Sequence, residues 1–198
     1  MPPAKKAVEA EAVPTDLAAI HDSYHGRVLA YMRSMVGDSE AEDLSQSVFL
    51  KAGAALAGFE GRSSVSTWLF RIAANTALDA LRQRKNRPSA PVQEESSCAF
   101  GIEPFPSAER QAIRDEMAAC IRELVDSLPP ASRTALYLAD VEGFTADEIA
   151  QVLGVTPGAA KIRLHRARAA LKDLMNAHCR FYRDENNVLS CDRVQPDE

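Results

Sequence analysis

Residues 145–171 contain the pattern that most restricts how this chain can fold: two stretches with the periodicity of an amphipathic helix, joined by a short segment that contains a glycine. Thr145 begins the spacing of a capping box, which marks the start of a helix. Gly154 suits the tight turn that joins two helices. Thr156 can cap the second helix with Pro157 in its first position, where the missing N–H costs nothing. The segment is therefore predicted to form a helix-turn-helix.

The second helix of this segment has one apolar and one basic face. Its predicted buried stripe consists of Ala160, Leu164, Ala167 and Leu171. No acidic residue occurs from Val155 through Ala170. A helix with such a face can enter the major groove of DNA, where arginines reach guanine or phosphate. The alternative is a basic amphipathic helix of an ordinary bundle. The predicted residues for duplex binding are Thr156, Pro157, Lys161, Arg163, His165, Arg166 and Arg168.

Helical periodicity also dominates the rest of the chain, and no strand pattern competes with it before residue 180. The second helix is expected to begin at Ser39, in a capping box with Glu42. We predict an all-α fold of two small helical domains joined by a flexible linker. The predicted segments are a disordered leader (1–15), a first domain (16–87), the linker (88–106), the helix-turn-helix domain (107–176) and a cysteine-containing tail (177–198).

Charge is distributed unevenly along a chain whose formal net charge is −5. Residues 61–93 and 149–180 each hold six basic residues and one acidic residue, whereas residues 94–148 hold twelve acidic and four basic ones. Each basic segment could neutralise phosphates locally, while the acidic remainder opposes indiscriminate binding to DNA. Solvated helix faces are the alternative explanation on charge alone.

Several classes of protein are excluded by the same sequence. No stretch approaches the roughly 18 apolar residues of a transmembrane helix. The lysines near the N-terminus are not followed by the apolar segment of a secretory signal. Four cysteines without a CxxC pair indicate reduced thiols in a cytoplasmic protein. The sequence contains no HExxH, GxSxG or Walker pattern. We therefore predict that the protein is not an enzyme and binds no cofactor.

The tail contains a possible hairpin centred near residue 185, where asparagine suits a tight turn. This hairpin would place Cys179 almost opposite Cys191. In a reducing cytoplasm such a pair is more often a redox sensor or a partial metal site than a permanent disulfide. His178 could add a third ligand, but zinc needs four. Two ordinary thiols in a frayed tail remain the alternative.

A second basic segment combines aromatic residues with a polar loop. Residues 59–64 form a glycine-containing loop, and Trp68 follows on the next helix. Aromatic rings beside cationic residues suit single-stranded DNA, whose unstacked bases meet aromatic faces. Core packing explains Trp68 at least as well on the sequence alone.

Three stretches together resemble bacterial RNA polymerase sigma factors of the extracytoplasmic-function (ECF) type. They are AEDLSQSVFLKA (41–52), FEGRSSVSTWLFRIAANTALDALRQRK (59–85) and LPPASRTALYLADVEGFTADEIAQVLGVTPGAAKIRLHRARAAL (128–171). The resemblance implies a protein that binds core RNA polymerase and directs promoter recognition, DNA melting and transcription initiation. A stand-alone helix-turn-helix regulator and a nucleic-acid enzyme are the competing functions.

The resemblance also assigns roles to individual residues. The helix-turn-helix would read the −35 element and contact the β flap, and an anti-sigma factor is an expected partner. Docking on the β′ clamp helices would involve Asp43, Gln46 and Phe49. Contacts to the −10 element would involve Phe59, Gly61, Arg62, Ser63, Ser64, Trp68, Arg71, Asn75, Arg82, Arg84 and Lys85. Ser45 departs from the family, which often has a hydrophobic residue at that position.

Overall fold

The computed structural model describes residues 16–86, 119–183 and 189–194. Its helices are α1 (Leu17–Val36), α2 (Asp38–Leu56), α3 (Val65–Asn86), α4 (described over 119–126), α5 (Pro130–Asp140), α6 (Ala146–Leu153) and α7 (Pro157–His178). The strands β1 (Cys179–Arg183) and β2 (Leu189–Arg193) form an antiparallel hairpin. The predicted all-α fold is confirmed, with this hairpin as an addition at its C-terminal end. The predicted leader, the linker and residues 107–118 of the predicted helix-turn-helix domain lie outside the described residues.

A glycine determines how α1 passes into α2. The carboxylate of Asp16 accepts a hydrogen bond from the Ala18 N–H at 3.1 Å and so caps α1. Gly37 then ends the helix with a φ of 87°, which residues with a side chain rarely adopt. Because this turn leads directly into α2, the helix begins at Asp38 and no side chain caps it. The predicted Ser39–Glu42 capping box was therefore wrong.

The larger of two apolar clusters connects the N-terminal half of the structure (α1–α3) with the C-terminal half (α4–α7 and the hairpin). Residues that solvent does not reach include Val28 on α1, Phe70 on α3, Leu138 on α5 and Ile149 on α6. Helix α6 packs directly against α3. The two halves thus bury apolar surface against each other, and such burial is the main stabilising contribution to their association.

Tyr31 is the polar centre of the contact between the halves. Its hydroxyl lies 3.0 Å from the Thr134 hydroxyl, in a buried position. Because Thr134 donates to the Pro130 carbonyl at 3.1 Å, Tyr31 acts as the donor to Thr134. The Tyr31 ring meets the rings of Phe70 and Tyr137 edge-on, at centroid distances of 5.8 and 5.2 Å. Burial raises the pKa of the Tyr31 hydroxyl, which keeps its proton available for this bond.

An ion pair lies at the edge of the same contact. The Arg27 Nε donates to a Glu142 carboxylate oxygen at 2.8 Å, and the Glu142 side chain is only 5% exposed. The Arg27 guanidinium also lies over the rings of Tyr24 and Phe70. Burial raises the pKa of the Glu142 carboxyl, and the Arg27 charge opposes that rise. The Arg27 charge therefore stabilises the ionised form of this carboxylate inside the contact.

Replacing Ser45 with alanine is expected to raise the free energy of unfolding by about 1 kcal/mol. The Ser45 side chain is completely buried on α2, and its hydroxyl has no hydrogen-bond partner among the described residues. Urea denaturation of the two proteins measures the difference. Ser47→Ala is a suitable control, because the Ser47 hydroxyl bonds the Asp43 carbonyl at 3.0 Å. A loss of stability in Ser45→Ala, or an equal gain in the control, would contradict this reading of Ser45.

Candidate nucleic-acid interface

The predicted helix-turn-helix is confirmed in its capping and its turn. Glu148 N–H donates to the Thr145 hydroxyl at 3.3 Å, and Thr145 N–H donates to the Glu148 carboxylate at 2.8 Å, which completes the capping box. Gly154 makes the turn with a φ of 65°. The Thr156 hydroxyl accepts from the Ala159 N–H at 3.3 Å and caps α7. The start of α7 is thereby fixed relative to α6.

Helix α7 buries its small residues and exposes most of its cationic ones. Ala160 and Ala167 are almost fully buried. Among the predicted duplex-binding residues, Arg163 is half-buried, whereas the exposed ones are Thr156, Pro157, Lys161, His165, Arg166 and Arg168. Ile162 is 55% exposed among them and was not predicted. Its apolar side chain on a basic face was the signal that could have identified it.

The exposed cations of α7 differ in their surroundings. Arg168 is held by the carboxylate of Asp140 on α5, with Nε at 3.4 Å and a second, shorter bond through Nη2. Lys161 and Arg166 form no ion pair with the residues that the structure describes. These two side chains are therefore the ones best placed to neutralise phosphate or to reach a base.

The loop before α3 places an aromatic pair at its surface. The rings of Phe59 and Trp68 lie 5.0 Å apart between centroids, and Trp68 is half-buried. Gly61 has a φ of 68°, and Arg62 forms an exposed ion pair with Glu60 at 3.2 Å. Trp68 thus packs partly against the core and leaves part of its ring at the surface, which does not decide between the two interpretations of the sequence.

Hydrogen bonds keep this loop close to α3. The Ser64 hydroxyl accepts from the Thr67 N–H at 3.1 Å, and its backbone carbonyl accepts from the Trp68 N–H at 3.0 Å. Ser63 is half-buried beside it. The predicted loop residues are therefore held at the first turn of α3, next to the aromatic pair.

The predicted polar residues of α3 are all exposed, and they are Arg71, Asn75, Arg82, Arg84 and Lys85. Two of them also contact other parts of the structure. Arg84 bonds the Val36 carbonyl at 3.2 Å and the Glu40 carboxylate at 3.0 Å, and Arg82 bonds Asp79 at 2.7 Å within the helix. Arg84 therefore connects α3 to the junction of α1 and α2, a structural contact that sequence reasoning missed.

The loop before α3 and the turn of the helix-turn-helix face each other across one cleft of about 560 Å³. Its lining on the side of the N-terminal half includes Phe59, Arg62, Ser63, Trp68 and Arg71. On the opposite side it includes Asp147, Gln151, Gly154 and Pro157. The predicted single-strand surface therefore lies opposite the turn of the helix-turn-helix, and of the residues predicted to bind duplex DNA, Pro157 lines this cleft.

Helix α2 presents a second candidate surface, for a protein partner. Asp43 and Gln46 are exposed, whereas Phe49 is 7% exposed and packs edge-on against the His21 ring. Leu50 is 75% exposed and lies at the i+7 position from Asp43, which places it on the same side of the helix. The exposed surface at this point consequently contains Leu50, a residue that was not predicted. We call Asp43, Gln46 and Leu50 the α2 surface.

The predicted hairpin of the tail is present, with a shifted register. Cys179 pairs with Arg193, and Cys191 pairs with Phe181, so the two cysteines are not opposite each other as predicted. The strands pair symmetrically about position 186, one residue later than the centre expected from the sequence. His178 ends α7. The described residues contain no group of three or more His, Cys, Asp or Glu side chains placed to hold a metal ion.

Comparison with known protein families gives two matches along the chain. The family model described as "Sigma-70 region 2" matches residues 20–87, and the model described as "Sigma-70, region 4" matches residues 118–171. Among the described helices, none is both long enough and apolar enough to span a bilayer.

Individual proteins with related sequences or folds agree with these matches. The chain is 37% identical to RNA polymerase sigma-H factor of Pseudomonas aeruginosa, over 75% of this chain and 80% of that protein. It is 30% identical to ECF RNA polymerase sigma-E factor of Escherichia coli, over 75% and 80%. The solved structure of CnrH in complex with the cytosolic domain of CnrY has a TM-score of 0.58 and 26% identity, over 81% and 88%.

Proposed function

This chain belongs to the sigma-70 family of RNA polymerase sigma factors, as a member of the ECF type, and we propose that each of its two halves binds a different promoter element. As a sigma factor it recognises promoters together with RNA polymerase. The helix-turn-helix reads the −35 element as duplex DNA. The loop 59–64 and α3 capture the −10 element as single-stranded DNA during melting. The observation that carries this division is the capped helix-turn-helix with Lys161 and Arg166 exposed and unpaired with described residues.

Each half has the chemistry that its proposed DNA form requires. Cations on the first turns of a helix suit the base edges and phosphates of the major groove, and α7 offers Lys161 there. The Phe59–Trp68 pair offers an aromatic surface on which an unstacked base can lie, and Arg71 is exposed beside it. The sigma factor itself supplies binding and positioning, and it has no proposed catalytic residue.

While the two halves are packed together, the protein cannot contact both promoter elements at the same time. Positions −10 and −35 are about 25 base pairs apart, which is about 85 Å along B-DNA. In the structure the proposed −10 surface and the turn that leads into α7 line one cleft, a separation far shorter than that distance. The two halves must therefore separate when the protein acts with polymerase, which breaks the Tyr31–Thr134 and Arg27–Glu142 contacts.

The α2 surface is proposed to dock on the clamp helices of the β′ subunit. An exposed leucine beside an exposed carboxylate combines apolar burial with a charge that selects a basic partner surface. Phe49 supports this surface from below, because its ring is buried against His21. The helix-turn-helix half is proposed to contact the β flap in addition to DNA.

An anti-sigma factor is a further proposed partner. CnrH, which shares the fold, was solved in complex with the cytosolic domain of another protein. A protein that held the two halves together would keep the cleft closed. It would thereby prevent the surfaces proposed to bind the −10 and −35 elements from binding DNA. We place the protein in the cytoplasm, where RNA polymerase and promoter DNA are found.

Run-off transcription tests the proposed function against a stand-alone helix-turn-helix regulator. The purified chain is mixed with core polymerase and templates from genes that respond to its overproduction. Specific transcripts that require both the chain and core polymerase are the expected result. Tight operator binding without polymerase, with no core-dependent transcript, would support the stand-alone regulator instead.

Replacing Lys161 or Arg166 with alanine is expected to weaken promoter binding of the polymerase complex by about 1–3 kcal/mol where the side chain contacts a base. A side chain that contacts only phosphate should give a smaller loss, equal across promoter sequences. Lys172→Ala is the matched control, since Lys172 is exposed on α7 near its C-terminal end. Unchanged promoter affinity in both variants would show that α7 does not bind in the major groove.

A further inference from the structure

Three cysteines from three elements meet at the base of the C-terminal hairpin. Cys179 begins β1, Cys191 lies on β2 and Cys120 lies on α4. The Cys179 thiol lies close enough to both other thiols that each of them raises its pKa. Cys179 is only 5% exposed, whereas Cys120 and Cys191 are half-buried. None of these thiols contributes to the proposed contacts with DNA or polymerase.

An ion pair independently places the hairpin against α4. Arg193 is the cross-strand partner of Cys179, so both side chains lie on the same face of the hairpin. Arg193 bonds the Glu123 carboxylate on α4 at 2.8 Å. Cys120 is three residues before Glu123, which puts both on one face of α4. The face of α4 that carries Cys120 is therefore the one that meets Cys179.

The hairpin register decides which two thiols can form a bond. Cys191 pairs with Phe181, so Cys179 and Cys191 are diagonal neighbours on the sheet. Diagonal positions are about 7–8 Å apart at Cα, beyond the distance of about 6.8 Å that a disulfide usually spans. Cys120 lies on α4, so the register of the hairpin does not set its distance from Cys179. We propose that peroxide converts Cys120 and Cys179 into an intramolecular disulfide.

The reaction removes two electrons from the two thiols and reduces one peroxide to water. The sulfur of Cys120, the less buried residue, attacks one peroxide oxygen, the O–O bond breaks, and a sulfenic acid and one water molecule result. The sulfur of Cys179 then attacks the sulfenic sulfur. The S–S bond forms, the S–O bond breaks, and the hydroxyl leaves as a second water molecule with the thiol proton.

The order of these steps follows from the environment of Cys179. Burial, with a further contribution from the two neighbouring thiols, raises the pKa of the Cys179 thiol to about 11. The thiolate is the nucleophile, so Cys179 is a poor first attacker at neutral pH. The disulfide should consequently form faster as the pH rises. It joins α4 to the end of α7 and closes a covalent loop around the helix-turn-helix.

Peptide mapping of the full-length protein after treatment with hydrogen peroxide tests this disulfide. Trypsin cleaves after lysine and arginine, so the three cysteines fall in separate peptides, 115–122, 173–180 and 184–193. The expected product links 115–122 to 173–180 and disappears with dithiothreitol. Cys120→Ser should lose this product, whereas Cys191→Ser should retain it.

Other products would overturn the proposal. They are a link from 173–180 to 184–193, a link through the peptide of Cys98, links between two molecules only, or free thiols throughout. Metal content is measured on the same sample before oxidation. Stoichiometric zinc that a chelator must remove before the thiols react would likewise overturn it, because the thiolates would then be metal ligands.

Discussion

Asp43→Arg is expected to abolish binding of this sigma factor to core RNA polymerase while its helical circular dichroism stays unchanged. Asp43 is exposed on α2, and its side chain forms no ion pair with the described residues, so the fold does not depend on its charge. A reversed charge at a docking surface places like charges opposite each other, which costs several kcal/mol at an interface. Leu50→Asp should weaken binding as well, because Leu50 would no longer bury its apolar surface.

Binding of labelled protein to core polymerase measures both effects. Asp22→Arg provides the matched control, because Asp22 is an acidic residue on α1 whose side chain is 87% exposed and which does not belong to the α2 surface. The control should bind core polymerase as the unchanged protein does. Normal binding of Asp43→Arg would show that the α2 surface does not contact core polymerase. A loss of helical circular dichroism would show that Asp43 is needed for the fold.

Glu142→Arg is expected to separate the two halves of the free protein. The substitution puts a second guanidinium beside Arg27 in a position that is only 5% exposed in the native side chain. The Arg27 guanidinium, which is 43% exposed, then loses its carboxylate partner, and the added like charge opposes the contact further. The radius of gyration from small-angle scattering should rise. Binding to core polymerase should become tighter, because a larger fraction of the protein is already open.

A charge exchange supplies the control for this prediction. The double variant Arg27→Glu, Glu142→Arg restores opposite charges across the same contact and should recover much of the compact form. An equal radius of gyration in the single and the double variant would mean that the Arg27–Glu142 pair does not hold the halves together.

Local patterns in the sequence predicted the parts of the fold that depend on neighbouring residues. The Thr145 capping box, the Gly154 turn and the Thr156 cap each involve contacts within a few positions, and all three are present. The capping box at Ser39 failed for a local reason too, because Gly37 starts the helix one residue earlier. The tail hairpin was predicted, but a turn shifted by one residue changed which residues pair.

Long-range contacts could not be read from the same patterns. Arg84 and Arg168 were predicted to touch DNA, yet each bonds a carboxylate on another helix, Glu40 and Asp140 respectively. Periodicity shows that a residue is exposed on its own helix and does not show which helix packs opposite. For the same reason the cleft shared by the two halves was not predicted, although Phe59, Trp68 and Pro157 on its two sides had been named.

The buried hydrogen bond between Tyr31 and Thr134 has a consequence for rates. Separation of the halves must break this bond and the ring contacts of Tyr31 together, so opening is expected to be one activated step. When only the open form binds polymerase, the observed association rate stops rising with polymerase concentration once it reaches the opening rate. The delay between synthesis of this sigma factor and its first transcripts would then depend on the fold of the protein more than on the abundance of its partner.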